Sequence, residues 1–156
     1  MLRKIIAAYN EGPDALDGLV LACSFAELGG GEVLIARVMQ DLKTANTVDR
    51  PAQLLMRERL GQTRNAVAQT LGSEASLEVY PVIDSSIPGA LHEVAETERG
   101  DLMTFGATHL GRFGRFALGG GAESGLTGSP SPVAVAPHGL RDTPPWRPRV
   151  MGAAYD

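Results

Sequence analysis

At 156 residues the chain suits one domain with a substantial core, and 44% hydrophobic and 21% charged residues is the balance of an ordinary globular protein. A formal net charge of -4 argues against duplex nucleic acid as a partner, and no apolar run approaches the roughly 20 residues of a membrane span. The N-terminus shows no long apolar core ahead of a small-residue cleavage site, so no signal peptide is expected. The single Cys23 has no partner in the chain for a disulfide and fits a reducing cytoplasm.

In chain order, residues 4–9 read as a first buried strand. A turn with Pro13 near a helix start follows. Leu16, Leu19, Val20, Cys23 and Leu28 then fall near helical spacing, and Gly29, Gly30 and Gly31 stop the helix. Cys23 is expected to be a buried, inert thiol. Residues 33–38 form a second strand, and the polar residues 40–50 a loop. Residues 51–71 form a long amphipathic helix with Leu54, Leu55, Leu60, Val67 and Leu71 on its apolar side. Residues 77–83 form a third strand in which Pro81 suits a sheet edge. Residues 87–99 form a third helix with Leu91, Val94 and Ala95 facing inward. His92 is expected at the surface, and His138 in a solvated tail. Three scattered histidines and one cysteine make no metal spacing.

Residues 102–105 and 132–136 read as two more buried strands, separated by a Gly- and Arg-rich loop, the triplet Gly119, Gly120, Gly121 and a short helix over 122–127. Strands alternating with helices imply right-handed crossovers and a parallel sheet covered on both faces. Five strands and four helices are expected. The frame Gly106-x2-His109-x9-Gly119-Gly120, followed by Pro132-Val133-Ala134-Val135, resembles the signature of the universal stress proteins. That signature runs Gly-x2-Gly-x9-Gly-Ser/Thr and leads into a Pro-Val-x-Val-Val strand. The resemblance implies a Rossmann-like five-stranded parallel sheet of order 3-2-1-4-5, with the ends of strands 1 and 4 at the topological switch point where such sheets bind ligands.

In nucleotide-binding members of that family, residues at the end of the first strand hold the adenosine part. Main chain at the end of the second strand contacts adenine, and the signature loop wraps ribose and phosphates. Carried over, these roles fall on Ala8, Tyr9 and Asn10, on Val38, and on Gly106, His109, Gly119, Gly120 and Gly121. Arg112 and Arg115 add positive charge that could meet phosphate. The implied ligand is ATP or AMP, with Mg accompanying ATP. Asn10 stands where the family has Asp, and so loses a charge while gaining a donor. His109 stands for the second glycine. Gly120 stands for Ser/Thr, which removes a hydroxyl but leaves main-chain N–H groups. Gly121 and Gly125 stand where the family has apolar residues, so the helix at 122–127 is expected to be short or loose, a poorly preorganised phosphate cradle.

Residues 1–138 are thus read as one domain and residues 139–149, with Pro144, Pro145 and Pro148, as a linker. Residues 150–156 read as an extra C-terminal strand, in which Ala153-Ala154-Tyr155-Asp156 repeats Ala7-Ala8-Tyr9-Asn10. This suggests the first half of a tandem protein, with 150–155 pairing to a second domain or a neighbouring chain. The resemblance also implies a homodimer through the last strand. Two functions stay open: a cytoplasmic stress-response binding protein with weakened adenine-nucleotide capacity, and a dimerisation module of the same fold that binds no nucleotide. An enzyme is not expected, because the loop holds only His109 and Glu123 as candidate bases.

Overall fold

A computed structural model describes residues 2–39, 52–72, 77–84, 86–107 and 128–143. In chain order its elements are β1 (Lys4–Tyr9), α1 (Pro13–Gly29), β2 (Glu32–Val38), α2 (Ala52–Leu71), β3 (Glu78–Val82), α3 (Ile87–Thr97), β4 (Leu102–Gly106), β5 (Val133–Ala136) and a 3-10 turn (Leu140–Asp142). All strand pairs are parallel and the sheet order is β3-β2-β1-β4-β5, the order expected from sequence. The expected helix at 122–127 and the expected strand at 150–156 lie outside the described residues.

The strands read as unbroken apolar runs because both faces of the sheet are covered. On one face Ile5, Ala7, Tyr9, Val33 and Ile35 pack against Ala15, Leu19 and Ala22 of α1 and Val67 of α2. On the other, Ile6, Leu34, Ala36, Val38, Met103 and Phe105 pack against Ala90, Leu91, Val94 and Ala95 of α3. Helix α1 starts at Pro13 with no side-chain cap, and ends at Gly30, whose left-handed backbone (φ 69°) lets its N–H donate to Ala26 O. Helix α3 starts under Ser86, whose hydroxyl accepts from Gly89 N–H.

Helix α1 also lies against β4 without intervening side chains. A Cβ on Gly18 would stand 2.7 Å from Gly106 N, and one on Gly106 would overlap the Asp14 carbonyl oxygen. Thr104 Oγ1, fully buried, donates to Gly18 O across this contact at 2.9 Å.

Some packing differs from the sequence reading. Of the side assigned to α2, only Val67 is buried. Leu54 is 51% exposed, because only the C-terminal half of α2 reaches the sheet, through Thr63 and Val67. Leu28 is 56% exposed, since it falls in the last turn of α1, beyond the sheet contact. Cys23 is half-buried rather than buried, and burial, followed by Glu27, pushes its thiol up to about 11, which favours the protonated thiol at neutral pH. His92 is partly buried rather than fully exposed. Residues 139–143, assigned to the start of a linker, instead fold onto α1 with Leu140 buried.

At the N-terminal edge of the sheet, Asp101 accepts main-chain N–H bonds from Arg3 and Lys4 at 2.7 and 3.0 Å. The bonds from Lys4 and then Arg3 favour the carboxylate and hold its pKa below the usual range. A depressed pKa contributes stability above the unfolded value of about 4, and that stability is lost as pH falls through the folded value. Asp101→Asn should therefore lower Tm at about pH 7, and the gap from wild type should close as melts are repeated toward about pH 3. A gap independent of pH would show that Asp101 contributes by packing alone.

Candidate functional site

The C-terminal ends of all five strands share one edge of the sheet, as parallel pairing requires. β1 pairs with β2 as far as Tyr9 opposite Arg37. Its pairing with β4 stops at Ala7 opposite Thr104, so the last residues of β1 and β4 form no ladder with each other. The pairing thus ends at the switch point of the sheet order, the place where sheets of this kind bind ligands. Beyond it, β4 and β5 stay joined: Gly106 registers with Ala136, and Ala107 N–H donates to Ala136 O at 2.9 Å.

Five of the residues assigned from sequence meet at this mouth. Tyr9 is buried on the α1 side of the sheet, Ala8 is half-buried on the α3 side, and Asn10 is exposed just past the strand. Val38 closes β2 on the α3 side, and Gly106 ends β4. His109, Arg112, Gly119, Gly120 and Gly121 lie outside the described residues. Gly106 has a structural duty besides any ligand contact, because its missing side chain lets the first turn of α1 seat on β4. Burial raises the pKa of Tyr9 above the ordinary phenol value, partly offset by Arg37.

Two polar clusters beside the mouth were not anticipated. The first joins Glu11, Arg37 and Arg59. Arg37 lies in the apolar run of β2 and is 5% exposed. It donates through Nη2 to Glu11 Oε1 at 2.5 Å and through Nη1 to Val38 O at 3.2 Å. Its guanidinium carbon lies 5.8 Å from the centre of the Tyr9 ring, within cation–π range. Arg59 of α2 reaches the same Glu11 oxygen. A lone arginine inside a buried strand was the available signal.

The second cluster ties the segment after β5 to α1. Asp17, wholly buried, accepts from Gly139 N–H, Arg141 N–H and Arg141 Nη1 at 2.9, 2.8 and 3.0 Å. His138 is exposed, as expected from sequence, yet its Nδ1 lies 2.9 Å from Asp14 Oδ1. Ligand atoms of Asp14, Asp17 and His138 lie within 4.8 Å of one another, a spacing a metal ion could use. Both Asp17 oxygens already accept protein donors, and the Arg141 guanidinium supplies the positive charge, so the arrangement is a clamp. Its residues are about 124 positions apart, which sequence periodicity does not reveal.

A parallel sheet of order β3-β2-β1-β4-β5 with helices on both faces defines the chain as a doubly wound α/β domain. The model of the universal stress protein family matches residues 1–137, and the chain belongs to that family. No curated protein sequence matches it. Among solved structures it is similar to the universal stress protein UspA from Lactobacillus plantarum, at 17% identity and TM-score 0.68, covering 86% of this chain and 97% of that one. It is similar to a universal stress protein in complex with cAMP, at 18% identity and TM-score 0.59, covering 88% and 98%. A universal stress protein from Archaeoglobus fulgidus DSM 4304 is similar at 23% identity and TM-score 0.55, over 86% of this chain and 44% of that longer one. At these identities the likeness is one of fold.

Proposed function

We propose that the chain is a stress-response binding protein that takes an adenine nucleotide, ATP or AMP, in the crevice between β1 and β4. The observation that carries this is the end of β1–β4 pairing at Ala7 and Thr104, with Tyr9, Asn10, Val38 and Gly106 gathered around the opening. On this reading the main chain at Tyr9 and Val38 contacts the adenosine part, and Asn10 supplies a donor and an acceptor in place of a carboxylate. Without that charge, affinity is expected to be modest. The cAMP complex of a protein with this fold supports a nucleotide as the ligand class. The role is binding rather than catalysis, and the reducing cytoplasm inferred from the lone Cys23 is the proposed compartment.

Ligand that binds only the folded state raises stability, by about 2.7 kcal/mol at a hundredfold excess over Kd. Millimolar ATP or AMP is therefore expected to raise Tm by several degrees, and adenosine to retain part of the effect. No shift with either nucleotide would favour the second reading, an interaction module. One observation favours that reading: β5 is an edge strand with Val133, Ala134 and Val135 only half-buried, so it can pair with a second copy.

A further inference from the structure

We propose that Arg37 sets the base preference of the nucleotide site, so that an oxopurine nucleotide, with a ring carbonyl where adenine has its amino group, is taken at least as well as an adenine one. This rests on the nucleotide reading above and concerns which base edge the end of β2 accepts. Arg37 stands one residue before the end of β2, is buried, and donates through Nη1 to the Val38 carbonyl at 3.2 Å. The direction of that carbonyl follows from the ladder. Met39 N–H donates to Val82 O of β3 at 2.8 Å, and in the trans peptide joining Val38 to Met39 the C=O points the opposite way. Val38 C=O therefore faces the β1 side, just past the last β1–β2 pair, Tyr9 opposite Arg37.

A base read by this strand end meets the carbonyl with a guanidinium N–H already on it. The amino group of adenine is a donor, and must approach an acceptor that a cationic donor holds. The ring carbonyl of an oxopurine is an acceptor, and meets N–H groups instead. The guanidinium has capacity for it. Of the five N–H donors an arginine carries, Nη1 uses one on Val38 O and Nη2 one on Glu11 Oε1, and among the described residues Nε–H has no acceptor. The group is also held in place: Glu11 binds its tip, and its carbon lies 5.8 Å from the centre of the Tyr9 ring. The preference follows from the sense of the hydrogen bonds, donor meeting donor or donor meeting acceptor.

The test is calorimetric titration of the full chain with AMP and with IMP, its oxopurine counterpart, with circular dichroism and melting curves confirming that each variant folds. Wild type should bind IMP as tightly as AMP or up to about tenfold more tightly, the size of one hydrogen bond made or lost. Arg37→Met keeps an apolar stem, removes the donors and frees Val38 O, so it should reverse the order and favour AMP by about three- to tenfold. Arg37→Lys, which still offers a cationic donor, should keep the wild-type order. Binding of both nucleotides by wild type with AMP preferred more than about threefold would overturn the role given to Arg37 and leave the nucleotide reading standing. That outcome needs no variant to fold. An order unchanged by Arg37→Met would overturn it equally. Failure of wild type to bind either nucleotide at millimolar concentration would remove the nucleotide reading and this proposal together.

Discussion

Gly106→Ala should be the most damaging single methyl that can be added near the crevice. Its Cβ would overlap the carbonyl oxygen of Asp14, which is main chain in the first turn of α1 and cannot rotate aside as a side chain could. The helix must lift from β4, straining the Thr104-to-Gly18 bond and the packing of Ala15 and Leu19 on the sheet. Overpacking costs typically about 1–3 kcal/mol, and a clash with rigid backbone belongs at or above the top of that range. A loss near 3 kcal/mol corresponds to a fall in Tm of about 6–12 °C for a domain of this size. Gly18→Ala, facing Gly106 N at 2.7 Å, should reproduce part of the loss. Chemical denaturation of both variants checks this, and a Gly106→Ala protein as stable as wild type would mean that α1 does not seat on β4 as described. The substitution also separates two duties of this glycine, since a purely ligand-facing residue would change affinity and leave Tm alone.

Asp17→Ala is expected to be nearly as costly. The wholly buried carboxylate holds two main-chain N–H groups and the Arg141 guanidinium. Removing one partner of a buried ion pair costs about 3–5 kcal/mol, chiefly because the other is left uncompensated. Arg141 is 21% exposed on its side chain and can partly rehydrate, which places the expectation near about 3 kcal/mol. Leu140 should then leave its contact with Leu21 and Ala136, and protease should cut first between residues 138 and 143. Arg141→Ala should cost less, because Asp17 keeps its two main-chain donors. If Asp17→Ala melts within a degree of wild type, the clamp contributes nothing to the fold.

Both effects depend on contacts that local pattern cannot announce. The inner strands β1, β2 and β4 were legible because each is largely buried and reads as a nearly continuous apolar run, and Pro81 marked β3 as an edge, where it lies. Helix ends were legible from Pro13 and Gly30, whose backbone geometry is tied to residue type. The face of α2 was misjudged because Leu54 fits the period of a buried stripe but stands where the helix has run past the sheet. Asp17 and Arg37 went unread because their partners lie on other elements, about 124 and 26 positions away. Gly106 was read as a ligand-facing glycine, while the structure adds helix packing as a second reason for it. Ala8, Tyr9, Asn10 and Val38 were named through the family resemblance, and they lie together because the ends of parallel strands share one edge of the sheet.

The central claim is that the ends of β1 and β4 part to admit a nucleotide. The most direct measurement is a two-dimensional NMR titration of the 15N-labelled chain with AMP and ATP, following main-chain amides. The account predicts saturable shifts concentrated at Tyr9, Asn10, Met39, Gly106 and Ala107, with the amides of Lys4, Glu32 and Asp101 at the opposite edge unmoved. Absence of shifts at millimolar nucleotide, or shifts centred on that opposite edge, would contradict it.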